Sequence, residues 1–160
     1  MIANVEESTV VPITRMKGDD EEDTELLREM LAEAKSYVRS FTWCKSIREE
    51  FYGNGVGGVV AVFLFRIEPG PGAPTSDEWL WVVTGDLPPA YLVTDRAHDP
   101  HAAVEAYCGL MEEWIRSVRA GKGLDTVFPV AAEPTLETAS LVERRIAFLR
   151  QDVMPILRPN

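Results

Sequence analysis

The sequence predicts an α+β domain: about three antiparallel strands in a small meander, packed with about four helices. Three observations carry that expectation. Helical patterns flank a central block of strand patterns and do not alternate with it, which disfavours a parallel Rossmann-type sheet. The stretch Val59–Ile67 is apolar on both faces, as a covered central strand must be. The links between successive strand patterns, at 68–77 and 85–89, are rich in proline and glycine, so consecutive strands should lie side by side.

Residues 1–22 read as an acidic tail and residues 23–160 as the domain. Within the tail, Val5, Val10, Val11 and Ile13 could cover an apolar patch or add to a sheet edge. A tail that reached a neighbouring chain would give a two-fold homodimer, the commonest closed assembly. Asp23 or Thr24 should cap the first helix, which carries Leu27, Leu31, Ala34, Val38 and Phe41 at three-to-four spacing.

Trp43, Ile47 and Phe51 continue at i, i+4, which favours a second helix closed by Gly53. A strand over 45–52 that turns at Gly53-Asn54-Gly55 is the competing reading. The central strand follows, with Ala61, Phe63, Phe65 and Ile67 on one face and Val60, Val62 and Leu64 on the other. Glu78–Thr84 and Ala90–Asp95 give the other two strands.

The next helix has a clear start. Asp99 is its N-cap and Pro100 its first residue, where the missing N–H costs nothing. Val104, Tyr107, Cys108, Met111, Trp114, Ile115 and Val118 form its apolar stripe, Glu112 and Arg116 an i, i+4 pair, and Gly121 its stop. A last helix starts near Thr135, runs through Leu136, Ala139, Val142, Ile146, Leu149 and Val153, and ends at Pro155.

Charge narrows the function classes. At 160 residues and net charge −10, the chain repels polyanions overall and shows no basic run, so nucleic acid is not an expected partner. The longest apolar run, Val56–Phe65, is too short to cross a bilayer, and no signal-peptide pattern opens the sequence, so a cytoplasmic protein without membrane contact is expected. The acidity suits a basic protein partner.

Chemical motifs are weak. Gly53–Gly58, "GNGVGG", lies before a strand rather than a helix, and no Lys-Ser or Lys-Thr pair follows, so it reads as a turn and not as a phosphate loop. Asp95, His98, Asp99 and His101 are metal-ligand types in one short span, but Asp99 already has a capping role; a helix entry without bound metal is expected. Cys44 could be nucleophilic only with a base beside it, and Cys108 falls on an apolar stripe. Adjacent carboxylates such as Glu49-Glu50 and Glu112-Glu113 diverge on a helix. No catalytic residue and no cofactor is assigned.

The stretch Gly85–Tyr91 remains as the candidate binding corner. Asp86 suits a turn, Pro88 and Pro89 stiffen it, and Tyr91 can pack back on the sheet. A stiff corner loses little entropy on binding. Trp43, Trp79, Trp81 and Tyr91 are the aromatic candidates for a pocket wall. Two functions follow: a non-enzymatic protein-interaction or accessory protein, or a small-molecule-binding or enzymatic domain with an aromatic-lined pocket.

The segments Phe41–Cys44 "FTWC", Gly55–Ile67, Trp81–Val93, Ala106–Ile115 and Glu143–Arg150 "ERRIAFLR" together resemble a family of small bacterial hypothetical proteins without established activity. The resemblance implies a bacterial, cytoplasmic protein and carries over no catalytic residue.

Overall fold

A computed structural model describes residues 2, 4–74 and 77–157. Parts of three sequence readings lie outside that range: residues 1 and 3 of the tail, 75 and 76 of the 68–77 loop, and 158–160 of the domain's end. The architecture is α+β, as predicted, but with five antiparallel strands and three α-helices among the described residues. The strands are β1 (Val11–Pro12), β2 (Cys44–Val56), β3 (Val60–Pro69), β4 (Trp79–Gly85) and β5 (Ala90–Val93), paired in that order. The helices are α1 (Glu21–Arg39), α2 (Pro100–Arg119) and α3 (Leu136–Phe148).

The central strand is the one expected. Val60 to Phe65 of β3 are completely buried, because helices cover both faces of the sheet. On one face Ala61, Phe63, Phe65, Leu80 and Val82 meet Leu27, Met30, Ala34 and Val38 of α1. On the other, Val62, Leu64, Trp81 and Leu92 meet Val104, Tyr107, Met111 and Trp114 of α2. Helix α3 packs on α2 through Ala139, Val142 and Ile146. Two guanidinium clamps lock that pair: Arg119 grips both oxygens of Glu143, and Arg150 grips both of Glu112 and reaches Glu105. Glu112 therefore serves an interhelical bidentate pair and not the expected i, i+4 pair with Arg116, since a planar fork on a carboxylate is the stronger geometry.

The second helix does not form; residues 44–56 are a strand. A spacing of four residues fits a strand face as well as a helix face, so the Trp43–Ile47–Phe51 pattern was compatible with both. Irregular register between Ile47 and Glu49 then turns Phe51 to the α2 face, while Ile47 stays on the α1 face. Gly53 is no helix stop. It lies inside β2, where a Cβ would come within 2.8 Å of the Pro100 ring. The turn falls later, at 57–59.

The tail joins its own sheet. Val11 and Pro12 pair with Tyr52 and Phe51 at the outer edge of β2. Val5 is fully buried and Val10 nearly so, in the core shared with α2. The boundary drawn at 22/23 falls inside α1, whose cap is Asp20 and not Asp23 or Thr24: the Asp20 carboxylate accepts from the Asp23 N–H at 2.8 Å. Asp23 is committed elsewhere. Its carboxylate accepts the Gly57 N–H at 2.7 Å and the Asp19 N–H at 2.9 Å, tying α1 to the β2–β3 turn.

The start of α2 is as read. The Asp99 carboxylate accepts the Ala102 N–H at 2.8 Å, with Pro100 following. Asp99→Ala should lower stability by about 1 kcal/mol, the ordinary loss for a capping carboxylate. A chemical-denaturation midpoint equal to the parent protein's would show that the cap contributes nothing. Gly121 follows α2 at φ +66°, and Thr135 caps α3 by accepting the Thr138 N–H at 3.1 Å. Beyond Phe148 the chain winds through one wider and one tighter turn, the latter holding Pro155.

Candidate interaction surface

The corner between β4 and β5 is held on three sides. Gly85 has φ +152°, and the Asp86 N–H donates to the Val59 carbonyl at 3.0 Å, fixing the corner to the β2–β3 turn. The Tyr107 hydroxyl donates to the Pro88 carbonyl, fixing it to α2. The Asp86 carboxylate accepts from the Arg145 guanidinium, fixing it to α3. Leu87 packs on the core below. Pro88 and Pro89 are half-buried, so the stiff segment presents Asp86 more than its prolines to the outside.

Against this corner stands the outer face of α3. Its inward stripe consumes Ala139, Val142 and Ile146. A second stripe, Leu141, Arg144, Arg145 and Phe148, repeats at i, i+3, i+4 and i+7 and therefore faces the same way. Leu141 is 43% and Phe148 48% exposed. With Leu136 and Ile156, both 64%, they are the strongly exposed large apolar side chains among the described residues, and all four lie on the 136–156 segment. A hollow of about 90 Å³ joins corner and helix, between Asp86, Leu87, Arg145 and Phe148. The signal for this surface was in "SLVERRIAFLR": one helix carries two apolar stripes, and only one of them is needed for its core.

The aromatic candidates do not converge. The sheet separates them, with Trp43 and Tyr91 on the α1 face and Trp79 and Trp81 on the α2 face. Trp81 is fully buried, and its indole N–H donates to the Ala97 carbonyl at 2.9 Å. Trp79 leans on Phe51, centroids 5.8 Å apart. Trp43 stacks on Phe41 at 4.9 Å, and Tyr91 meets Phe41, Trp43 and Phe128 edge-on at 5.0–5.2 Å. These rings fill one another's space; they do not wall one pocket with Trp79 and Trp81.

The other motifs have structural duties. The Gly57 N–H, the amide a phosphate would need, is given to Asp23. His98 holds the tail: its Nδ1 bonds the Asn4 carbonyl at 2.7 Å, and its own carbonyl accepts the Glu6 N–H at 2.9 Å. Among the described residues no three His, Cys, Asp or Glu side chains gather around one point. Cys44 and Cys108 are buried free thiols. Burial pushes the Cys44 thiol up and the Cys108 thiol to about 12, which disfavours the nucleophilic thiolate. Glu49 and Glu50 turn to separate cations, Arg66 at 3.0 Å and Lys35 at 3.0 Å. Among the described residues no helix is long and apolar enough to cross a membrane.

The fold places the chain among α+β domains with an antiparallel meander covered on both faces. No protein-family model matches the sequence, and neither a curated protein nor a solved structure matches it.

Proposed function

We propose that the protein is a non-enzymatic interaction protein that docks a protein partner on the outer face of α3 and the adjoining 85–89 corner. The observation that carries this reading is the gathering of exposed Leu141 and Phe148 around Arg144 and Arg145 on an otherwise acidic molecule. Aromatic residues and arginine are enriched where protein interfaces bury their centre. Arg145 is already paired with Asp86, which leaves Arg144 as the cation offered to a partner's carboxylate. The net charge of −10 favours a partner whose wider surface is basic, because the long-range field steers the encounter while the patch sets the contact.

The test uses the full chain immobilised in a lysate of its source cell, beside a Leu141→Asp/Phe148→Asp double variant. Both side chains are substantially exposed, so the variant should keep its stability to within about 1 kcal/mol. The expected result is a partner retained by the parent protein and lost from the variant. Identical retention by both, or none by either, refutes this surface.

A further inference from the structure

Helices α2 and α3 meet along matching faces. On α2 the facing residues are Glu112, Ile115, Arg116 and Arg119; on α3 they are Glu143, Ile146, Ala147 and Arg150. Each set recurs at i, i+3, i+4 and i+7, which is one face of a helix. Three of the four positions carry the same residue on both helices: a glutamate, an isoleucine and an arginine. Crossed between antiparallel helices, that repetition gives two equivalent clamps. Arg119 of α2 takes Glu143 of α3, and Arg150 of α3 takes Glu112 of α2, at 2.6–3.1 Å. Two helical turns separate the clamps, about 10 Å at the helical rise per residue. The fourth position breaks the pattern. Midway between the clamps α2 presents Arg116 and α3 presents Ala147. The Arg116 side chain has neither an ion pair nor a hydrogen bond among the described residues. Ala147 leaves room opposite it: a hollow of about 350 Å³, floored by the nearly buried Ile115 and Ile146 and closed at either end by a clamp.

We propose that this hollow binds a small organic monocarboxylate. Its two oxygens take the Arg116 guanidinium, where a third glutamate would complete the row of clamps, and its apolar body lies on Ile115, Ile146 and Ala147. Four features select this chemistry. A planar guanidinium matches a carboxylate through two parallel hydrogen bonds, the geometry that both neighbouring clamps already use. The floor is aliphatic, and the volume lies at the lower end of small-molecule sites, roughly 300–1,000 Å³. Arg116 is the uncompensated cation of the three that line the hollow: Glu143 matches Arg119, and both Glu112 and Glu105 match Arg150. One negative charge therefore suffices. A dianion such as a phosphate monoester would set its second charge beside Glu112 and Glu143 with no cation to meet it. The hollow includes none of Leu141, Arg144, Arg145 and Phe148, so the site goes beyond the partner-docking reading and does not depend on it.

The probes are three monocarboxylates with different apolar bodies: hexanoate, 4-phenylbutyrate and indole-3-acetate. Each is titrated into the full-length protein and followed by NMR of the arginine side-chain resonances. At least one is expected to saturate a single site. Its carboxamide should bind at least tenfold more weakly, because the charge and one acceptor are gone. The phosphate monoester of the same body, a dianion above about pH 7, should bind no tighter than the carboxylate. Arg116→Gln breaks no ion pair, so it should weaken the carboxylate at least tenfold and leave the unfolding midpoint unchanged. Ala147→Glu is the converse variant. It supplies the third carboxylate from the chain itself, so it should also displace the probe while holding or raising the midpoint. No saturable binding, equal binding of the carboxamide, tighter binding of the phosphate, or indifference to Arg116→Gln overturns the proposal. A lower midpoint in Ala147→Glu overturns it too, since Arg116 would then not face that position. The Leu141→Asp/Phe148→Asp variant should bind the carboxylate as the parent protein does. Partner capture lost in that variant and carboxylate binding lost in Arg116→Gln thus report on separate surfaces, and either reading can fail alone.

Discussion

Phe63→Ala is expected to lower the free energy of unfolding by about 3–5 kcal/mol, the range for deleting a large aromatic from a close-packed core. Phe63 has no exposed surface and sits mid-strand in β3, opposite Tyr52 on one side and Val82 on the other. Its ring lies between those of Tyr52 at 6.1 Å and Phe65 at 6.0 Å, the latter nearly parallel. Helix α1 lies over this face, so the lost volume would be enclosed on every side and relaxation could recover little of it. Guanidinium unfolding followed by tryptophan fluorescence measures the shift, with an unchanged denaturant slope as the sign that the folded and unfolded states are otherwise the same. A loss under about 1 kcal/mol would mean that α1 does not cover the sheet there. Phe148→Ala is the matched control: the same chemical change at a half-exposed ring should cost about 1 kcal/mol or less.

Why the central strand and α2 were readable while β2 was not comes down to how many physical constraints each stretch carries. Val60–Ile67 has apolar residues at every position but Arg66, and only burial on both faces satisfies that. The α2 start combines a capping carboxylate, a first-position proline and a long 3.6-residue stripe, which agree with one another. Cys44–Val56 carries charges and a period of four, and what makes it a strand lies outside it: cross-strand pairs of Arg48 with Glu68 and of Glu49 with Arg66, and the backbone of β3. Long-range pairing overrode local pattern there. β1 was hidden for a related reason, since two residues have no periodicity to read. The corner at 85–89 was singled out from its own residues, but its neighbours across the fold, Arg145 and Tyr107, could not be identified from spacing. The same holds for the aromatics. Four rings in one sequence suggest one pocket until the alternation of β4 and β5 is placed in three dimensions and divides them between the two faces of the sheet.

Gly85→Ala is expected to cost about 3 kcal/mol or more, through backbone strain and a clash with main-chain atoms that cannot move independently. At φ +152° an L side chain is strained whatever the space around it. Here there is also no space. A Cβ would stand 2.1 Å from the Val59 carbonyl oxygen and 2.9 Å from the Val60 Cα. The Val59 carbonyl is the acceptor for the Asp86 N–H, so pushing it away breaks the bond that seats the corner on the β2–β3 turn. Asp86 would then shift relative to Arg145, and the hollow beside Phe148 would lose one wall. Gly121→Ala isolates the conformational part. Gly121 also has positive φ, +66°, yet a Cβ there meets nothing within 4 Å, so only the conformational cost of about 1–2 kcal/mol applies. Thermal or denaturant unfolding of the two variants side by side reads the difference directly. If Gly85→Ala unfolds no more easily than Gly121→Ala, the corner is not pinned to the turn beneath it, and Asp86 is not held at the α3 surface by the backbone.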